Sequence, residues 1–242
     1  MDSDSIAGVV VGHVDLGEAD RIVRILTAEE GRIAVVARGA RSSRKRFAGL
    51  LDLGMRIRVT RARGRGRLAR LADAELVAPV NRARTDIERL ALLAYGCELA
   101  GKLAGEDVPA PKLARLLVVW LELLEGEALP GSASRQAFEA KALTFAGLLP
   151  DLTHCAVCGE AITPADQPRF DFETGIVHAE CGAGVEVAAT SLTALESLRR
   201  TPLFDTPQST PSDAGWILCD FAQHQLSSEI RSRSLLADVQ QR

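Results

Sequence analysis

Residues 6–38, IAGVVVGHVDLGEADRIVRILTAEEGRIAVVAR, decide the fold class of this 242-residue chain. Three runs rich in β-branched residues alternate with the turn-forming segments LGEAD and AEEG, which is the pattern of short strands joined by tight connections. Two later runs, MRIRVTRAR and RLARLADAEL, flank Gly64-Arg65-Gly66, which predicts a hairpin turn. Five strands in so short a region, with no segment of helical period, favour a small closed barrel of the OB or SH3 type.

Charge is distributed unevenly along the chain, although the formal net charge is only −3. Residues 1–84 hold 17 Lys and Arg against 10 Asp and Glu, whereas residues 85–242 hold 12 against 22. Between Arg32 and Arg70 there are 13 basic residues and one acid, Asp52. A block of one sign on this scale predicts a polyanion as the partner of the barrel.

The strand MRIRVTR places its cations on one face. Alternation directs Met55, Ile57 and Val59 into the barrel and Arg56 and Arg58 outward. Arginines held in this way can neutralise phosphates, with an affinity that falls steeply with salt and carries little sequence information. The alternative interpretation is a cationic surface that serves only solubility.

Aromatic stacking cannot dominate binding to this barrel. Phe47 is the only Phe, Trp or Tyr in the first 84 residues, whereas OB-folds that grip single strands usually stack bases on aromatic rings. We therefore predict shallow, electrostatic binding to single and double strands without sequence preference, which is suited to bringing strands together.

Beyond Val80 the hydrophobic pattern acquires a helical period. It predicts amphipathic helices over 86–103 and 132–149, and two more helices over 191–200 and 213–230. Between the first two, KLARLLVVWLELL is apolar almost all round, which predicts a central, buried helix.

A cysteine-rich stretch, CAVCGEAITPADQPRFDFETGIVHAEC, occupies residues 155–181. Cys155-x2-Cys158 and His178-x2-Cys181 are separated by 19 residues, which is the spacing of two ligand pairs in a small zinc knuckle. Four such ligands fill a tetrahedral Zn²⁺ shell and leave no position for water, so the predicted site is structural.

Three other interpretations of this stretch remain open. A thioredoxin-like redox pair would open a helix, whereas this CxxC follows a predicted helix and leads into a turn. The string His178-Ala179-Glu180 matches the H-x-E of zinc deaminases, but in those enzymes it precedes a P-C-x-x-C pair. In the third interpretation the site holds no metal, or His178 packs without binding it and His154 is the substitute ligand.

Catalytic and targeting motifs are missing from the sequence. There is no Walker A, GxGxxG, GxSxG or HExxH pattern, and the chain has four histidines. The first dozen residues lack a secretory n-region, and the apolar run over 116–121 is too short for a membrane span. Cys97 and Cys219 fall in helical patterns and are predicted core residues. We therefore expect a cytoplasmic protein that is not an enzyme and does not contact membranes.

Taken together, these motifs resemble the RecO family of bacterial DNA repair and recombination mediators. The segment 17–59 is similar to that family's barrel, with G-E-x-D, then T-x-E-x-G, then the K/R-G-A-R segment. CAVCG with a second ligand pair is similar to its zinc knuckle, and IRSRS at 230–234 is similar to its C-terminal K/R-S-R ending. The resemblance spans essentially the whole chain.

The resemblance implies an α+β fold class, with an N-terminal OB-fold β-barrel followed by a mainly α-helical domain with an inserted zinc knuckle. We expect the barrel over 1–80, the first part of the helical domain over 81–152, the zinc module over 153–184 and the rest of the helical domain over 185–242. The implied metal site binds structural zinc through Cys155, Cys158, His178 and Cys181, with His178 standing where zinc-bearing members commonly have cysteine.

The implied function is that of a non-enzymatic mediator. It would bind single- and double-stranded DNA, anneal complementary strands, engage RecR and the C-terminal tail of SSB, and help to load RecA on SSB-coated DNA at the nucleoid. The DNA-binding positions that carry over are Arg38, Arg41, Arg44, Lys45, Arg46, Arg56 and Arg58. The alternative is a zinc-containing interaction adapter whose basic face meets an acidic protein, and a zinc enzyme is the third option.

Overall fold

The computed structural model describes residues 5–42, 47, 49–62, 68–209 and 214–240. They form two compact units, one comprising Met1–Glu127 with Arg231–Arg242 and the other comprising Ala128–Ile230. The finer division at residues 80, 152 and 184 stays a prediction. None of the helices built from these residues combines the length and hydrophobicity that crossing a bilayer requires.

Five strands close into a barrel at the start of the first unit. They are β1 (Ser5–Leu16), β2 (Asp20–Thr27), β3 (Gly31–Ala37), β4 (Arg56–Ala62) and β5 (Ala69–Ala78). Their order is β1-β2-β3-β5-β4, with β4 pairing back onto β1 and β3 running parallel to β5. The predicted five-stranded OB-type barrel is confirmed, while the predicted turn at Gly64-Arg65-Gly66 lies outside the described residues.

The barrel core follows the alternation of the sequence. Val23, Ile25, Val35, Ile57 and Val59 have no exposed surface. The arginines between them in β2 and β4 point away from this core, because successive side chains of a strand lie on opposite faces.

Two helices follow the barrel in the same unit, α1 (Ile87–Leu103) and α2 (Pro111–Glu125). The Asp86 side chain caps α1 by accepting bonds from the backbone N–H groups of Glu88 and Arg89. Gly96 lets α2 approach closely, because a Cβ there would lie 2.3 Å from the Trp120 ring nitrogen. The predicted buried helix is confirmed for most of its apolar residues, such as Leu117, Trp120 and Leu121, while Arg115 and Glu122 are exposed.

The C-terminal helix, α6 (Ser232–Gln240), returns to pack on α1. The Glu98 carboxylate of α1 accepts hydrogen bonds from the backbone N–H groups of Arg231 and Ser232 and from the Ser232 hydroxyl. Sequence analysis predicted a single helix over 213–230 and missed α6. Ser227 has a left-handed backbone with φ of 46°, which ends the preceding helix.

The second unit packs helices against a small sheet. Its helices are α3 (Ser132–Phe145), α4 (Ala189–Arg200) and α5 (Ile217–Leu226), and its strands are β6 (Arg169–Asp171), β7 (Gly175–Val177) and β8 (Val185–Glu186). Helix α3 is therefore shorter than the predicted 132–149. Phe170 of β6 is fully buried, and its ring centroid lies 5.4 Å from that of Phe221 in α5.

Glu125 at the end of α2 holds the segment that leaves the barrel. Its carboxylate accepts hydrogen bonds from the backbone N–H groups of Asn81, Arg82 and Ala83, at 2.9 to 3.1 Å. Partial burial opposes ionisation of the carboxyl, but these amide bonds outweigh it and lower the pKa of Glu125. Its stabilising contribution is therefore complete above the ordinary glutamate pKa of about 4.3 and is lost as the pH falls through the lowered folded value.

We predict that Glu125→Gln makes the amide hydrogens of Asn81, Arg82 and Ala83 exchange about fivefold faster at pH 7, from roughly 1 kcal/mol of lost hydrogen bonding. Hydrogen exchange resolved to these residues measures the effect. Glu122→Gln is the control, because Glu122 lies on the same helix but pairs with Arg56 instead. Equal exchange in both variants would show that the carboxylate does not hold this segment.

Candidate functional site

Two adjacent loops of the second unit bring the four predicted metal ligands together. Cys155 and Cys158 lie in a turn that is tied to β7 by the hydrogen bond from the Ala156 N–H to the Ile176 carbonyl, at 2.7 Å. His178 directly follows β7, and the Cys181 N–H donates to the His178 carbonyl. The ligand atoms of the four residues all lie within 4.8 Å of one another, so the group could hold a metal ion.

The histidine is oriented for ligation through Nδ1. This atom lies 3.4 Å from the Cys158 Sγ, while Nε2 faces the Asp166 carboxylate at 3.7 Å. Metal-binding histidines commonly direct the second ring nitrogen toward a carboxylate, which fixes the ring. Three sulfurs and one imidazole nitrogen suit a tetrahedral, closed zinc site.

The thiols of this cluster differ in acidity. Burial opposes ionisation of Cys155, but backbone N–H groups of Cys158, His178 and Val157 donate to its sulfur and lower its pKa to about 6. Burial raises the pKa of Cys181 to about 11, and the neighbouring Cys158 and Cys155 sulfurs raise it further. Because cysteine binds a metal as the thiolate, a bound cation would displace the thiol protons of the cluster.

The other interpretations of the cysteine-rich stretch find little support in this geometry. The CxxC turn does not open a helix, which a redox pair would do. Glu180 is exposed, whereas a catalytic glutamate would face the metal. His154 does not join the cluster, because its Nδ1 lies 3.1 Å from the Asp151 carboxylate. Cys97 and Cys219 are fully buried, which confirms them as core residues.

Many barrel arginines are already held by acids. The carboxylate partners lie at 2.6 to 3.3 Å, and they come both from the barrel and from the helices of the same unit. The pairs are Arg32 with Glu106, Arg41 with Asp15, Arg56 with Glu122 and Arg61 with Glu30. These ion pairs neutralise much of the positive charge that the count of basic residues in the sequence suggests.

Among the residues that the structure describes, three exposed arginines on one outer face of the barrel have no ion-pair partner. Arg24 lies on β2, Arg38 directly follows β3 and Arg70 lies on β5. Within the part of the chain that the structure describes, their guanidinium groups make no ion pair or hydrogen bond. We call this set the outer arginine face, and its three cations can reach a phosphate backbone without first breaking a salt bridge.

The seven predicted DNA-binding positions differ in their exposure and in their ion-pair partners. Arg38 belongs to the outer arginine face. Arg41 anchors the start of the basic loop, because its guanidinium also donates to the Gly17 carbonyl at 2.7 Å. Arg58 is exposed on β4 opposite Glu75. Arg56 pairs with Glu122, and Arg44, Lys45 and Arg46 lie outside the described residues.

Sequence reasoning left Arg24 and Arg70 out of the predicted set. The alternation of RIVRILT contained the signal for Arg24, which lies between the inward Val23 and Ile25. Phe47 is buried, so the one aromatic ring of the barrel region is not offered to a base.

Comparison with known families covers nearly the whole chain. Residues 1–80 match the family model described as Recombination protein O N terminal, and residues 84–234 match the one described as Recombination protein O C terminal. Together the two models cover the barrel, the helices α1 to α5 and the cysteine cluster.

Three curated relatives are all called DNA repair protein RecO. The one from Myxococcus xanthus is 38% identical over 239 residues, which is 96% of each chain. The one from Anaeromyxobacter dehalogenans (strain 2CP-1 / ATCC BAA-258) is 36% identical over 250 residues, 99% of this chain and 98% of the relative. The one from Geobacter metallireducens is 31% identical over 246 residues, 99% of each chain.

We predict that the purified protein carries one tightly bound metal ion per chain and that Cys155→Ser/Cys181→Ser removes it, because two ligands cannot replace four. Elemental analysis of the protein after gel filtration measures the ratio. Cys97→Ala is the control, since Cys97 is buried outside the cluster. A double variant that keeps a full complement of metal would contradict the assignment.

Proposed function

Because the chain belongs to the RecO family, we propose that it is a non-enzymatic mediator of DNA repair and recombination. In this proposal it binds single- and double-stranded DNA electrostatically and anneals complementary strands. The observation that carries the proposal is the outer arginine face, where Arg24, Arg38 and Arg70 are exposed and unpaired among the described residues.

The chemistry of this face suits a phosphate backbone rather than a base sequence. Arginine presents a fork of donors that fits phosphate oxygens, and each neutralised phosphate releases counterions. Arginines that grip the backbone without reading the base sequence can hold two strands of any sequence while their bases search for complements. Unpaired arginines on the barrel could thus promote annealing without a nucleotide cofactor.

The partners follow from family membership and not from a contact in the structure. We propose that the protein works with RecR, engages the C-terminal tail of SSB and thereby helps RecA to load on SSB-coated DNA. Such work would take place in the cytoplasm, at the nucleoid.

The cysteine cluster supports a structural role for zinc. Cys155, Cys158, His178 and Cys181 would hold the ion, which would tie the CxxC turn to the segment that follows β7. With four protein ligands no coordination position remains for a substrate, so the proposed zinc stabilises the module and takes no part in a reaction.

The outer arginine face predicts how a triple variant behaves. Arg24→Gln/Arg38→Gln/Arg70→Gln should weaken DNA binding by at least tenfold at low salt, and the slope of log K against log salt should become shallower by about 2, because each lost phosphate contact contributes roughly 0.7 to 0.9. Fluorescence anisotropy with a labelled oligonucleotide at several salt concentrations measures both quantities.

The matched control removes the same charge elsewhere. Arg115→Gln/Arg200→Gln/Arg231→Gln changes three exposed arginines that are not members of the outer arginine face, and it removes the same number of positive charges as the first triple variant. Its DNA affinity should stay within about twofold of the wild type, as expected of positions that touch no phosphate. Equal losses in both triple variants would show that net charge, and not the outer arginine face, governs binding.

Annealing of two complementary oligonucleotides, each coated with SSB and without ATP, tests the mediator function itself. We expect rapid annealing by the wild type that slows at high salt, and slow annealing by the Arg24, Arg38 and Arg70 triple variant. A wild type that neither binds nor anneals DNA would overturn the proposal and favour the adapter, whose basic face meets an acidic protein.

A further inference from the structure

Aliphatic side chains form a row on the same outer face of the barrel. Val14 of β1 pairs with Ile22 of β2, Ile22 pairs with Val36 of β3, and Val36 pairs with Arg70 of β5. Paired residues of neighbouring strands project on the same side of a sheet, with Cβ atoms about 5 Å apart. We call Val14, Ile22 and Val36 the aliphatic row.

The row is accessible rather than covered by the rest of the unit. Val14 is 46% exposed, and Ile22 and Val36 are partly exposed. Leu16, two residues along β1 from Val14 and therefore on the same face, is 44% exposed. The inward neighbours Val23 and Val35, by contrast, have no exposed surface.

Cations that have no ion-pair partner among the described residues border this row. Arg70 ends the row itself, Arg24 lies two residues from Ile22 on the same side of β2, and Arg38 lies two residues beyond Val36. A second copy of the same surface would place arginine against arginine, which is unfavourable. A polyanion with apolar faces complements both parts of the surface.

Single-stranded DNA has these properties, because its phosphates are charged and its unpaired bases expose flat apolar faces. In a duplex the base faces are stacked on one another, and mainly phosphates and groove edges remain available. An apolar row between cations can therefore contact base faces only when the strand is single. Aliphatic side chains would provide a weaker platform than aromatic rings, without sequence preference.

We propose that the aliphatic row binds the bases of single-stranded DNA while Arg24, Arg38 and Arg70 hold its phosphates. The inference rests on the proposed function and adds to it a means of distinguishing single strands from duplex. It also assigns a role to Val14, Ile22 and Val36 that electrostatics does not supply.

The test compares a (dT)20 oligonucleotide, a base-free oligonucleotide of the same length and a duplex of the same length. The variant is Val14→Thr/Ile22→Thr/Val36→Thr, which keeps β-branched side chains that favour strands. We expect the wild type to bind (dT)20 about tenfold more tightly than the base-free strand, and the variant to lose this preference. The two proteins should bind the duplex with affinities that agree within about twofold. Their slopes of log K against log salt should agree within about 0.5.

Two further variants separate this outcome from misfolding. Leu76→Thr/Val77→Thr changes two equally exposed aliphatic residues on β5 and should leave the (dT)20 preference unchanged. Val14→Tyr should raise (dT)20 affinity at least threefold without raising duplex affinity, because a ring at this position can stack.

The results distinguish the failure of each idea. Normal binding of all three probes with no preference for bases, or an equal loss on (dT)20 and duplex in the threonine variant, would overturn the aliphatic row and leave the mediator proposal standing. Absence of binding to any probe by the wild type would overturn both.

Discussion

Strand β1 closes the barrel because its two halves pair with different neighbours. Residues from Ser5 to Val9 pair with β4, and residues from Gly8 to Leu16 pair with β2. A register shift between Val10 and Gly12 bends β1 beyond the segment that pairs with β4. Gly8 lies where both pairings overlap, and a Cβ there would come within 2.6 Å of Ile25 and Leu26. Closure then gives every strand an inside and an outside, so the parity of a residue decides whether it belongs to the core or to the surface.

Among the described outward-facing cations of the barrel, some form ion pairs with acidic residues and others do not. Glu106 and Glu122, which follow the barrel in sequence, fold back to pair with Arg32 and Arg56. The acidic second half of the chain thus begins to neutralise the basic first half within one compact unit. Among the described residues, the cations left unpaired include Arg24, Arg38 and Arg70 on the outer face of β2, β3 and β5, where a local positive field would orient a polyanion better than a uniformly basic surface.

The module that contains the cysteine cluster has only a small hydrophobic core. It has strands of two and three residues, and its buried apolar side chains include Phe170, Ile176 and Val177. So small a core rarely holds long loops in place, and cross-links commonly supply the missing stability in modules of this size. Four ligands drawn from the CxxC turn and from the segment after β7 would tie these loops through one ion. The barrel is thus held by strand pairing, whereas the knuckle would be held by its metal ligands.

By itself the sequence determined the five strands, most of the helices, the core parity of the barrel and the four clustered ligands, because each of these depends on local spacing or alternation. It indicated a basic barrel but not which of its arginines lack an ion-pair partner. In the sequence Arg41 and Arg70 are equivalent, and only the fold brings Asp15 next to Arg41. It also missed α6, whose first turn is capped by Glu98 from a helix more than a hundred residues earlier. Only the tertiary structure decided that Val14, Ile22 and Val36 share one row, because strand register joins residues that no local pattern relates.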